Sequence, residues 1–236
     1  MLHGFDSCFL EFRRLVPLLK KNHKIIIPDL FGFGFCPRPL NIEYGRKNII
    51  SHLKEVIEQT YKGESMGLIG ASMGGAIAMD LARVNPEKIH RILLLSPAGL
   101  TGKQTPLPPI IDKIGVWFLK QNYVRKALCK QAFAYPENSV GEFEEQIASI
   151  HLKVPGWQNS LTSFARQGGI ANCGTPIPTQ PLEILWGEQD RILKGKVERD
   201  TFELYANCIE KINHCGHLPH LDRPEVVAEK WLRINQ

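Results

Sequence analysis

Short runs of consecutive apolar residues alternate along this chain with longer stretches in which apolar residues return every three or four positions. The runs are 24–30 (KIIIPDL), 66–71 (MGLIGA), 90–96 (HRILLLS), 182–187 (LEILWG) and 208–213 (CIEKIN). Several are unbroken Ile/Leu runs, as expected of strands covered on both faces. Between them, 8–21 brings Phe9, Phe12, Val16 and Leu19 near one helix face, and 43–61 does the same with Ile50, Leu53 and Ile57. A helix is predicted over 74–84, stopped by Asn85 and Pro86, and a last one over 224–234 with Asp222 as a candidate N-cap. Strands alternating with helices predict an α/β fold, a mostly parallel sheet flanked by helices.

One stretch breaks the alternation. Between residues 99 and 180 there is no strand pattern. The stretch opens on a proline-rich segment (TPLPP), closes on GTPIPTQP, and carries helical patterns at 111–130, 139–152 and 158–166. The predicted organisation is a core of residues 1–98 and 181–236 with a helical cap, or lid, of residues 99–180 inserted between two strands.

Composition narrows the picture. A chain of 236 residues can bury roughly 70% of its unfolded surface and needs no staple. Its 29 basic and 24 acidic residues are spread along the chain, so nothing reads as a nucleic-acid patch or a membrane-binding stripe. The most apolar stretch, 67–82, carries Asp80 and several glycines and falls short of the about 20 apolar residues that a membrane span needs. The six cysteines form no C-x-x-C pair, which reads as reduced thiols and predicts a cytoplasmic setting.

The strongest chemical signal is Gly70-Ala71-Ser72-Met73-Gly74, a G-x-S-x-G between a predicted strand and a predicted helix. A serine on so sharp a turn has a strained backbone, and its neighbours two positions away crowd each other, so both must be small. The helix start behind it offers partial positive charge to a developing oxyanion.

Further along, the chain resembles the α/β-hydrolase family. His3-Gly4-Phe5 is similar to the family's HG-x turn, and Asp29-Leu30-Phe31-Gly32-Phe33-Gly34 to its D-x-x-G-x-G loop. Trp186-Gly187-Glu188-Gln189-Asp190 resembles the loop bearing the acid, and Cys215-Gly216-His217 the loop bearing the histidine. The resemblance covers nearly the whole chain outside the insertion. It implies a catalytic triad of Ser72 as nucleophile, Asp190 as orienting acid and His217 as general base, with the backbone N–H groups of Phe5 and Met73 as oxyanion hole. A serine hydroxyl needs such a base, and the carboxylate fixes the imidazole tautomer. Ser72 argues against the relatives with an aspartate nucleophile, haloalkane dehalogenases and epoxide hydrolases.

Rival assignments stand beside these. Asp190 also reads as a turn aspartate, and Glu188 is an alternative acid. His214 and His220 compete with His217, and together with Cys215 they form a His/Cys cluster that a metal could occupy. His3 reads as a structural partner in its turn, and Cys36 as a small buried residue. Gly32 and Gly34 are not a dinucleotide fingerprint, since a third glycine and a following helix are missing. No cofactor and no metal are called for.

The insertion carries Trp117, Phe118, Tyr123, Phe133, Phe143, Trp157 and Phe164, which predicts a lid core with some aromatics over Ser72 and a largely apolar pocket with few charges. The expected activity is hydrolysis of an ester or related acyl bond of a small apolar molecule. Alternatives on the same triad are a carbon–carbon bond hydrolase or an acyltransferase, and a third class is a non-catalytic receptor or scaffold. The resemblance also implies a strand before the HG-x turn, preceded by others, whereas only Met1 and Leu2 precede His3. N-terminal strands of the family are therefore expected to be missing.

Overall fold

The computed structural model describes residues 1–63 and 65–233. Its core is a four-stranded parallel sheet in the order β1 (Met66–Ala71), β2 (Ile89–Leu95), β3 (Leu182–Gly187) and β4 (Ile209–Ile212). The helices are α1 (Val16–Leu19), α2 (Arg46–Thr60), α3 (Met73–Val84), α4 (Ile111–Leu119), α5 (Asn122–Gln131), α6 (Pro136–Ser139), α7 (Glu142–Ile147), α8 (Trp157–Arg166), α9 (Lys196–Leu204), α10 (Pro219–Asp222) and α11 (Pro224–Arg233). The predicted last helix runs as α11 to Arg233, and Ile234 lies outside the described residues.

The unbroken apolar runs have the cause the pattern implied. Along β2, Ile92 and Leu94 point into one core with Leu53 of α2, Ile77 of α3 and Tyr205 after α9. Leu93 and Leu95 point into the other, with Leu19 of α1 and Val227 and Trp231 of α11. Both faces are covered from Ile92 to Leu95, which are all buried, whereas His90 near the start of the strand is exposed. Helix α3 is buried through most of its length, and its one acid, Asp80, is paired with Arg46 and Arg83.

Four expectations need correction. Residues 24–30 form neither strand nor helix. Between them and β1 the chain places only Met1 and Leu2, whose contribution to the sheet is a single bridge, Leu2 to Gly70. A strand needs a continuous ladder partner, and one residue does not provide it. A cavity of about 320 Å³ occupies the remainder of the gap, bordered by Leu2, Ile25, Met66 and Trp231. The predicted helix over 8–21 is a 3₁₀ turn (Phe9–Phe12) and the single turn α1. The pattern at 111–130 splits into α4 and α5 at Lys120–Gln121, and Asp222, expected to cap the last helix, instead accepts the N–H groups of Ala134 and Gly216.

All named elements between β2 and β3 are helical. Among the described residues no helix is long and apolar enough to cross a membrane.

Candidate active site

Ser72 closes β1 and opens α3, with φ at +49° and ψ at −120°. That conformation is costly for any residue with a side chain and persists only where the surroundings over-determine it. Here they do. A Cβ on Gly70 would lie 2.5 Å from the Gly74 carbonyl oxygen, and one on Gly74 would lie 2.2 Å from that of Leu2. Both contacts are with backbone that has nowhere to move, so the two glycines let the turn close.

The acid and histidine loops meet at the far ends of β3 and β4. A Cβ on Gly187 would meet the Gly216 carbonyl oxygen at 1.9 Å, so the two loops touch backbone to backbone. Gln189 clamps them: its N–H donates to the Cys215 carbonyl at 2.9 Å, and its side-chain oxygen accepts the Cys215 N–H at 2.9 Å. The His217 N–H donates to the Ala132 carbonyl at 2.8 Å, which ties the histidine to the end of α5.

These supports bring Ser72, His217 and Asp190 together. His217 Nε2 lies 2.9 Å from Ser72 Oγ, and His217 Nδ1 lies 2.8 Å from Asp190 Oδ2. The other carboxylate oxygen of Asp190 accepts the N–H groups of Ile192 at 2.8 Å and Leu193 at 3.1 Å. Burial pushes the Asp190 carboxyl up, but the hydrogen bond and charge of His217 and those two N–H groups outweigh it, and it is held below the usual carboxylate range. An arrangement of this kind can move a proton from a hydroxyl to an imidazole while the carboxylate holds the ring.

The rivals are placed elsewhere. His214 Nδ1 pairs with the Tyr135 hydroxyl at 2.7 Å on the surface. His220 is buried against Phe12 and lies 3.1 Å from Glu11 Oε1, close enough for an ion pair but without the angle of a hydrogen bond. Glu188 is exposed, and among the described residues its carboxylate accepts a hydrogen bond only from Gln189. Among the described residues no group of three His, Cys, Asp or Glu side chains could hold a metal. Cys36 is half-buried rather than buried.

The HG-x turn lies beside the serine, since a Cβ on Gly4 would sit 3.3 Å from Ser72 Cβ. His3 accepts the Leu30 N–H at Nε2, 3.0 Å, and donates from Nδ1 to the Gly4 carbonyl, 2.8 Å. Burial holds its pKa down, in keeping with a neutral ring that accepts at one nitrogen. The Gly4 N–H donates to Glu11. Among the described residues, the N–H groups of Phe5 and Met73 have no hydrogen-bond partner.

Residues that the sequence reading missed stand next to Phe5. Asp6 has φ +48° and is buried, and its carboxylate collects three donors from the helical insertion: Arg125 of α5, His151 at 3.0 Å and Trp157 at 2.7 Å. The one available signal was its position directly after the HG-x turn. Burial raises its carboxyl and these partners outweigh that, leaving it lowered.

A cavity of about 250 Å³ opens onto Ser72 and His217, walled by Leu119, Leu128, Phe133 and Leu218. It is largely apolar, as expected, but departs from the expected pocket in two ways. Charged side chains line it too, paired as Asp6 with Arg125 and Arg13 with Glu144. Of the seven predicted lid aromatics only Phe133 reaches it; Trp157 and Phe164 are core, and Trp117, Phe118, Tyr123 and Phe143 face outward.

Comparison with known proteins agrees with this architecture. The chain is 26% identical to the 2-hydroxymuconate semialdehyde hydrolase of Pseudomonas sp. (strain CF600), over 94% of this chain and 81% of that protein. It is 28% identical to the alpha/beta hydrolase domain-containing protein VTE7 of Arabidopsis thaliana, over 97% and 71%. The solved structure of epoxide hydrolase CorEH superposes with a TM-score of 0.79 at 21% identity, over 98% and 88%, which speaks for the fold alone. The model of the alpha/beta hydrolase family matches residues 1–230, and the chain belongs to that family.

Proposed function

We propose that this protein is a serine hydrolase that cleaves an ester or related acyl bond of a small, largely apolar molecule, with residues 99–180 as its lid. The observation that carries the reading is the hydrogen-bonded line Ser72–His217–Asp190 at the floor of an apolar-walled cavity. His217 Nε2 takes the Ser72 proton as Oγ attacks the carbonyl carbon. The oxyanion gathers the Phe5 and Met73 N–H groups, donors with nothing else to bond among the described residues. The imidazolium, held by Asp190, gives its proton to the leaving alcohol, and the acyl group stays on Oγ. Water then attacks the acyl-enzyme, losing its proton to His217, and the acid departs with Ser72 restored.

Small substrates fit the cavity, whose volume of about 250 Å³ lies just under the roughly 300–1,000 Å³ of drug-sized pockets. A fluorophosphonate probe tests the chemistry. Labelling of the native chain and none of Ser72→Ala is expected, and equal labelling of both would overturn the reading. The second reading is a carbon–carbon hydrolase or acyltransferase on the same three residues, since the Pseudomonas relative is named for a semialdehyde. Turnover of simple acyl esters, compared with that of thioesters and diketones, separates the two.

A further inference from the structure

Helix α4 is packed on one side and carries an apolar stripe on the opposite one. Asp112, Val116 and Leu119 share one face; the first two are buried, and Leu119 reaches the cavity above Ser72. On the other side, at helical spacing, stand Ile110, Ile111, Ile114, Trp117 and Phe118. This second face is uncovered: Ile110 is 73% exposed, Ile114 60% and Trp117 57%. Tyr123 extends it, its ring 6.1 Å from that of Phe118 and also exposed. Single exposed apolar residues are ordinary, but a contiguous stripe with two aromatic rings and three isoleucines marks a docking surface.

Charge identifies the occupant. Between residues 101 and 131 the chain has six basic residues and a single acid, Asp112. Asp112 is buried and paired with Arg166, Arg125 is buried on Asp6, and Lys126 pairs with Glu145. The exposed residue Lys103 and, on α4 and just after it, Lys113 and Lys120 have no ion pair among the described residues. The apolar stripe is therefore bordered by positive charge with no outward acid on its own segment. A second copy docked symmetrically would set Lys113 and Lys120 against their own counterparts, which the like charges oppose.

We infer that the outer face of α4 docks on an anionic lipid surface, with Ile114, Trp117 and Phe118 entering the acyl boundary and Lys113 and Lys120 meeting the headgroups. Nine residues make a helix of about 14 Å, too short to cross a hydrocarbon core of about 30 Å but suited to lying in its interface. The opposite face of the same helix borders the active-site cavity, so the lid would rest on the membrane from which an apolar substrate comes.

The test uses the full chain carrying Ser72→Ala, so that binding is read without turnover and stands or falls apart from the proposed chemistry. Vesicles of phosphatidylcholine alone and of phosphatidylcholine with phosphatidylglycerol are sedimented with the protein. Binding to the anionic vesicles, weakened by salt, is expected. The other three tryptophans, Trp157, Trp186 and Trp231, are buried, so a blue shift of emission on binding reports Trp117. Ile114→Ser/Trp117→Ser should lose most of the binding, and Lys113→Glu/Lys120→Glu should lower affinity at least about 25-fold, roughly fivefold for each lysine lost. Both pairs are on the surface, and in the Ser72 background both should keep turnover of a soluble short ester. Three results would overturn the inference: no binding to anionic vesicles, binding that neither pair of substitutions weakens, or a concentration-dependent dimer that shields Trp117 without lipid.

Discussion

Replacing Asp6 with alanine tests whether the proposed lid and the proposed oxyanion turn are held by one buried carboxylate. The side chain of Asp6 is almost wholly enclosed, and it accepts Arg125, His151 and Trp157 from three successive parts of the insertion. Removing it leaves the Arg125 guanidinium buried with, among the described residues, only carbonyl partners, those of Asp6 and Ala148. Breaking a buried ion pair from one side costs about 3–5 kcal/mol, a large part of the roughly 5–15 kcal/mol that holds a domain together. At about 2–4 °C per kcal/mol for a chain of this size, the melting temperature should fall by about 6–20 °C. Asp6→Ala/Arg125→Met removes the stranded charge as well and should recover much of that loss, giving a coupling energy well above about 1 kcal/mol in a double-mutant cycle. The milder Asp6→Asn should stay folded and lose kcat more than KM, up to about 10²–10³-fold if the Phe5 N–H is displaced, the range seen when one oxyanion donor is lost. Thermal melts and steady-state kinetics with a soluble ester are the assays. A melt of Asp6→Ala within about 2 °C of the native protein, or a double variant as unstable as the two single losses added together, would refute the reasoning.

His217→Ala should abolish ester turnover while His214→Ala, at the surface on Tyr135, retains most of it; loss of activity in a folded His214→Ala would reverse the assignment. Asp6, Glu11 and Asp190 are all held below their ordinary pKa values: burial raises each, and the histidines beside them, with Arg125 for Asp6, outweigh it. Their stabilising contribution is therefore complete above about pH 4, the unfolded carboxylate range, and is lost as pH falls through their lower folded values; melting temperature recorded against pH should drop there. Gly74→Ala forces a Cβ to 2.2 Å from the Leu2 carbonyl oxygen and should cost at least about 1–3 kcal/mol, whereas Gly115→Ala on α4, with nothing within 4 Å, should stabilise by about 0.5–1 kcal/mol, both read from denaturant midpoints. Lengthening the acyl chain of an ester should improve kcat/KM by about 0.8 kcal/mol for each methylene buried until the cavity fills, and a flat series from acetyl to hexanoyl would count against an apolar acyl site.

What the sequence determined by itself was whatever local sterics dictate. Gly70 and Gly74 are needed because their Cβ atoms would strike the turn around Ser72, a constraint that spans a few residues and leaves a readable motif. The Ile/Leu runs of β1 to β3 were legible because a strand covered on both faces must be apolar at nearly every position. Asp190 and His217 were readable as candidates, each on a turn after a strand, but so were Glu188, His214 and His220. Only tertiary structure chose among them, by setting the loops of β3 and β4 against each other so that one histidine faces Ser72. Residues 24–30 carry the apolar run of a strand, Pro28 apart, and are not one, because a strand exists only with a ladder partner and pairing is not a local property. The cluster on Asp6 joins residues more than a hundred positions apart, and no window along the chain contains it. The stripe on α4 shows the same limit. Periodicity states which side chains share a face, and packing alone decides whether that face is covered, so Trp117 and Phe118 read as lid core until the fold left them outside.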